Sequence, residues 1–145
     1  MFPMLVRDVL LTLAAHEFFS PKWSPRIRDE WTRNLVARMA DRDGEDVARN
    51  KVARIAAAVE AAFPDALVAT EHLSESLQIE VIHPDDFVMD LVDLNEKRAV
   101  AAFRELRARK KNPPMSIAEL IQRLRDGGLV QASLWLSSSD VVALL

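Results

Sequence analysis

Seven cations crowd one short stretch of this chain. Lys97, Arg104, Arg107 and Lys111 recur at spacings of seven, three and four, which puts them on one face of a helix, with Arg98, Arg109 and Lys110 beside them. In a chain of formal net charge −3 this is the concentrated positive field. Such a field binds phosphate or an acidic partner, or it is simply a solvated helix face. Acid is grouped just upstream, at Asp85, Asp86, Asp90 and Asp93. Asp86 and Asp90 share a helix face, where they suit a hard, oxygen-seeking cation or, near a first turn, the helix dipole. His16, His72 and His83 have no ligand spacing and read as surface or capping residues. The sequence holds no cysteine, which excludes disulfides, thiolate zinc sites and thiol nucleophiles. It also lacks a glycine-rich phosphate loop, a nucleophile elbow and a carboxylate pair at useful spacing.

The elements that must position these residues are mostly helices. Leu5, Val6, Val9, Leu10 and Leu13 make one broad apolar face from Met4 to about Phe18. Ser24 before Pro25 is a capping hydroxyl followed by proline at the first helical position. Ile27, Trp31, Leu35 and Met39 then recur every four residues, with Glu30 on the margin of that stripe. A third helix starts near Asp43 and carries Ala48, Val52, Ile55 and Val59 inward. Pro84 opens a helix with Phe87 and Leu91 buried, and the basic helix runs from about Asn95 to Lys111. Asn112, Pro113 and Pro114 stop it. Ser116 and Glu119 form a capping box for the next helix, which ends at Gly127 and Gly128. Two runs, 66–70 and 79–82, are short, apolar and β-branched and read as strands.

At 145 residues and half hydrophobic, the chain suffices for a buried core. No stretch approaches the roughly 20 apolar residues of a membrane span, and charge interrupts the apolar start at Arg7 and Asp8. The expectation is a cytoplasmic protein without a membrane partner.

The order of segments resembles the PIN-domain, VapC-like toxins of bacterial toxin–antitoxin systems, in the subgroup with a helical extension after the PIN domain. Phe2 and Pro3 with Leu5, Val6, Arg7 and Asp8 look like the segment after that group's first strand. Trp23, Ser24 and Pro25, then Glu30, Arg33, Asn34 and Leu35, are similar to its W-S, E-x-x-R-N-L helix. Phe63, Pro64, Asp65 and Ala66 match the approach to its second strand. His83, Pro84, Asp85, Asp86 and Phe87 match the start of the region after its last strand, and Lys111, Asn112, Pro113 and Pro114 its C-terminal extension.

The resemblance implies Mg²⁺-dependent RNA cleavage by converging carboxylates, because Mg²⁺ takes oxygen ligands and is held weakly by any one of them. It makes Glu30 the catalytic and metal-binding residue. The family's first acid precedes the counterparts of Phe2 and Pro3, and Met1 stands where an apolar residue of its strand would be. Two further acids belong between Leu67 and Ile79, where this chain has only a short polar run. Glu71, Glu75 and Asp65 have no spacing that makes them substitutes. The expected fold class is therefore an α-rich α/β remnant of a three-layer PIN-like fold with about two short strands. Residues 1–94 would form the degenerate PIN-like domain and 95–145 the helical extension. The expected function is that of a toxin–antitoxin family protein without nuclease activity and without bound Mg²⁺. An antitoxin and RNA are the implied partners, through Lys97, Arg104, Arg107 and Lys111. A homodimer would compensate for the lost strand. Two alternatives stand: an active ribonuclease whose site another subunit completes, and a helical interaction module using an exposed apolar tail at 141–145.

Overall fold

Apolar residues at helical spacing fold as helices in the computed structural model, which describes residues 4–68, 82–111 and 113–145. Eight helices are formed among these: α1 (Met4–Ala15), α2 (Pro25–Asp43), α3 (Glu45–Ala62), α4 (Pro84–Leu94), α5 (Glu96–Arg109), α6 (Ile117–Asp126), α7 (Val130–Leu136) and α8 (Ser139–Val142). The chain divides into two compact units, Ser20–Ile79 on one side and Met1–Phe19 with Glu80–Leu145 on the other.

The first unit is a helical hairpin. Ser24 caps α2, its hydroxyl accepting from Ile27 N at 3.2 Å, and Pro25 follows at the first helical position, where the N–H that proline lacks would have no partner within the helix. Gly44 alone joins α2 to α3, with φ 81° and ψ 154°. That conformation belongs almost entirely to glycine, so the reversal depends on this residue. Arg28 and Glu60, equidistant from Gly44, pair at 2.7 Å, as antiparallel helices require. Leu35, Ala48, Val52, Ala56 and Ala66 are buried, and the ring edges of Trp23 and Phe63 meet beyond the helix ends.

The α/β expectation is overturned: all regular structure among the described residues is helical. Of the run 66–70, Ala66, Leu67 and Val68 are described, and they make one isolated parallel bridge, Leu67 opposite Trp23. Trp23 N donates to Ala66 O at 2.8 Å and Val68 N to Trp23 O at 3.0 Å. The next rung of a parallel ladder needs the N–H of residue 25, which is proline. The residue that starts α2 therefore stops the strand. The rest of the run 66–70, and 79–81 of the second run, lie outside the described residues. Ile82 stands exposed before α4 and outside any regular element.

The second unit builds a larger core. Val6, Val9 and Leu13 of α1, Val88, Leu91 and Val92 of α4, and Val100, Phe103 and Leu106 of α5 join Leu120, Leu124, Leu129 and Leu136 in one cluster. Here α1 packs on α5 and α6, and α7 on α4 and α6. At Gly127 an added Cβ would meet Val6 Cγ2 at 3.3 Å and Arg123 O at 3.2 Å, so glycine permits the close approach of α1. The tail is not an exposed apolar end: Val141 and Leu145 belong to this core, while Leu144 stays exposed.

Candidate functional site

Three chemical features named by the sequence can now be placed: the lone family glutamate, the acidic group on α4 and the basic face of α5.

Glu30 is exposed on α2 and has no hydrogen-bond or ion-pair partner among the described residues. One turn away on the same helix stand Arg26, Arg33 and Asn34, two cations and one amide. A hard divalent cation needs several oxygen donors at once. Among the described residues no group of three His, Cys, Asp or Glu side chains is arranged to hold a metal ion. The donor set around Glu30 does not fit Mg²⁺, and no catalytic step through the ion follows from it. Asp65, the described member of the weighed substitutes, is exposed, and its carbonyl oxygen accepts from Lys22 Nζ at 2.6 Å. Glu71 and Glu75, with His72, lie outside the described residues.

The acidic group has a structural centre that the sequence reading missed. Asp85 is buried, 4% exposed, in the first turn of α4. Its carboxylate accepts from Gln131 N at 2.7 Å and from Ala132 N at 3.1 Å. These N–H groups belong to the second and third residues of α7, whose own N-cap, Leu129, has no side-chain acceptor. A carboxylate from another helix thus satisfies donors that the local sequence leaves open, and it sits at the positive end of α7. The sequence carried one signal of this, a helix opening on Leu129 and Val130 with no capping residue. Asp86 is exposed and accepts from the Gln131 side chain, so α4 holds α7 at two points. His83 is the N-cap of α4, its Nδ1 accepting from Asp85 N at 3.2 Å. Capping is thus the role His83 takes. His16 instead bonds Glu105 Oε2 through Nε2 at 2.7 Å, linking the end of α1 to α5. That bond, with Arg109, holds the Glu105 carboxyl below its ordinary range.

The basic face is divided by tertiary contacts. Asn95 caps α5, its side chain accepting from Arg98 N at 3.0 Å. Lys97 and Arg104 stand exposed on the helix, without an acidic partner among the described residues. Arg107 turns toward the tail, donating from Nη2 to Leu145 O at 2.8 Å. Lys111 lies beyond the helix end, in a single bridge with Pro114. Arg98 lies over the Phe18 ring, 5.6 Å from its centre, Arg109 pairs with Glu105, and Lys110 reaches Asp8 at 2.8 Å. Of the four residues singled out, the structure keeps Lys97 and Arg104 as one exposed pair on α5. They are two helical turns apart, about 10 Å along the axis.

No helix among the described residues is long and apolar enough to cross a membrane. No curated protein and no solved structure matches the chain. Residues 84–136 do match a family model, described as the VapC50 C-terminal domain, and this points to a VapC-family toxin. The matched segment opens at the start of α4 and closes at the end of α7, the two helices that Asp85 fastens together.

Proposed function

We propose that this chain is a VapC-like toxin–antitoxin protein without nuclease activity, which acts by contact through the exposed side of α5. The observation that carries the reading is the match over 84–136, a segment that the Asp85 clamp closes into a folded helical arrangement. Support for the missing nuclease comes from Glu30, exposed on α2 with cations and an amide as its helical neighbours. Support for the contact surface comes from Lys97 and Arg104, whose charges no acid of the described residues neutralises. An unpaired cation on a folded surface is available to a phosphate or a carboxylate of a partner, at no cost of breaking an internal pair.

The experiment is a titration of the full chain with single-stranded RNA and, separately, with polyglutamate, over a range of salt. Binding of either ligand should weaken when Lys97→Glu and Arg104→Glu are combined. The slope of log affinity against log salt should also fall by about one per lost phosphate contact for RNA. Binding of both ligands unaltered in affinity and slope would remove α5 from the account.

A further inference from the structure

Arg107 is a cation that its own helix does not neutralise. Three and four residues away along the chain stand Phe103, Arg104, Lys110 and Lys111, one apolar ring and three cations. Arg104 is exposed and Lys110 reaches Asp8, whereas Arg107 is half-buried. Among the described residues its guanidinium donates to one acceptor, Leu145 O, from Nη2 at 2.8 Å. Its Nε is buried and has no hydrogen-bond partner among those residues. A buried donor of a charged group is costly to leave unmet, so this atom calls for an acceptor.

The one acceptor comes from a tail that is lightly held elsewhere. Residues 137–145 follow the segment that the family model matches, which closes at 136. Within them α8 has four residues and no side-chain cap. Val141 and Leu145 are buried in the core, while Ser139, Asp140 and Leu144 are exposed. The other hydrogen bonds of the tail stay inside it or reach α7, as in Val142 N to Ser138 O at 2.9 Å and Ser137 N to Ser133 O at 3.1 Å. Arg107 is therefore the polar link from the tail to α5. Asp140, the acid of the tail, accepts from Ser139 Oγ at 3.2 Å and does not serve it.

Nε–H and Nη2–H lie parallel along one edge of a guanidinium, and that edge matches the two oxygens of one carboxylate. Here one donor of the edge is met by Leu145 O, and the donor left over is the other of the same pair. We propose that Arg107 is a carboxylate site whose ligand is the main-chain carboxylate that Leu145 presents in a chain ending at this residue. The second oxygen is carried by the carbon that already offers one to Nη2, so no further group has to be brought in. Both donors of the edge are then met and the charge of Arg107 is neutralised. This pair fastens the tail to α5 with Val141 and Leu145 seated in the core. A chain that continues past Leu145 offers a neutral carbonyl instead, and the cation stays unpaired. Docking of the tail thus depends on a free carboxylate at residue 145. The site is separate from Lys97 and Arg104 and does not rest on the reading of α5 as a contact surface.

The test is amide hydrogen exchange over 137–145. The 145-residue chain is compared with the same chain continued by Gly-Ser, each with Arg107 and with Arg107→Gln. Continuing the chain should speed exchange at Val142 and Leu144 by about tenfold or more, the worth of a charge-assisted hydrogen bond. Arg107→Gln should do the same in the 145-residue chain and add much less in the continued one, because the carboxylate it would have bound is already gone. Exchange in α1 and α6 should not change. If Arg107→Gln loosens those helices too, the chain amidated at Leu145 decides, since it differs only in the charge at that residue. Its tail should exchange as fast as that of the continued chain. The proposal is overturned if continuation or amidation leaves exchange of the tail as it was. It is overturned equally if continuation and Arg107→Gln multiply in effect, since Arg107 would then hold the Leu145 carbonyl alone.

Discussion

Replacing Asp85 should cost this protein more than its place in an acidic surface sequence suggests. The carboxylate is 4% exposed and accepts two backbone N–H bonds, at 2.7 and 3.1 Å, from the uncapped start of α7. In Asp85→Ala both donors lose their acceptor, next to the buried Ala132 and Ser133. Hydrogen bonds to a charged group contribute about 1.5–3 kcal/mol each, and a lost cap costs about 1 kcal/mol by itself. Because the two bonds share one carboxylate and α7 can fray to find water, the sum is below twice the single value, about 3 kcal/mol. At roughly 3 °C per kcal/mol for a chain of this size, the melting temperature should fall by about 9 °C. Asp85→Asn keeps one oxygen and loses the charge, so it should cost about half as much. Asp86→Ala is the control. Asp86 shares the first turn of α4 but is exposed, so it should cost no more than about 0.5 kcal/mol. Urea and thermal unfolding followed by circular dichroism measure all three. An Asp85→Ala protein within about 0.5 kcal/mol of wild type would refute the clamp. Equal losses for Asp85 and Asp86 would show that both serve only the dipole of their own helix.

Gly44→Ala should destabilise the α2–α3 hairpin by about 1 kcal/mol or more, through its φ of 81° alone, since nothing lies within 4 Å of the added Cβ; urea unfolding reads this, and an unchanged midpoint would contradict it. Glu105 titrates below its ordinary value because His16 and then Arg109 bond its carboxylate. Its stabilising share is therefore complete above the unfolded carboxyl's 4.5 and is lost as pH falls through the lowered folded value. Glu105→Gln should flatten the loss of stability below about pH 4.5, by under ~1 kcal/mol given its exposure; a variant that follows the wild-type acid limb without change would contradict the pairing.

What the sequence made legible was local. Ser24 with Pro25, and Ser116 with Glu119, announce their helices by chemistry within four residues, and the structure places both caps there. The misreadings share one cause, a partner far away in sequence. The run at 66–68 has strand-forming residues, but its neighbour is the stretch ending at Pro25, which has no donor for a second rung. Asp85 was read against its own helix, whereas its ligands lie 46 and 47 residues on. The basic face looked uniform because helical spacing shows which residues share a side, not which are drawn off it. Arg107 is claimed by Leu145, 38 residues away, and Lys110 by Asp8, 102 residues away. On α4 the spacing put Phe87 and Leu91 inside; Leu91 is buried, together with Val88 and Val92, while Phe87 is half-buried, edge-on to Phe19 at 5.0 Å.

The central claim is a VapC-like protein that acts by contact and not by cleavage. The most direct measurement is RNA hydrolysis by the purified full chain with Mg²⁺ or Mn²⁺, alongside Glu30→Gln. The account predicts no metal-dependent cleavage above a no-protein control, and no difference between the two proteins. Cleavage that requires the metal and is abolished by Glu30→Gln would contradict it.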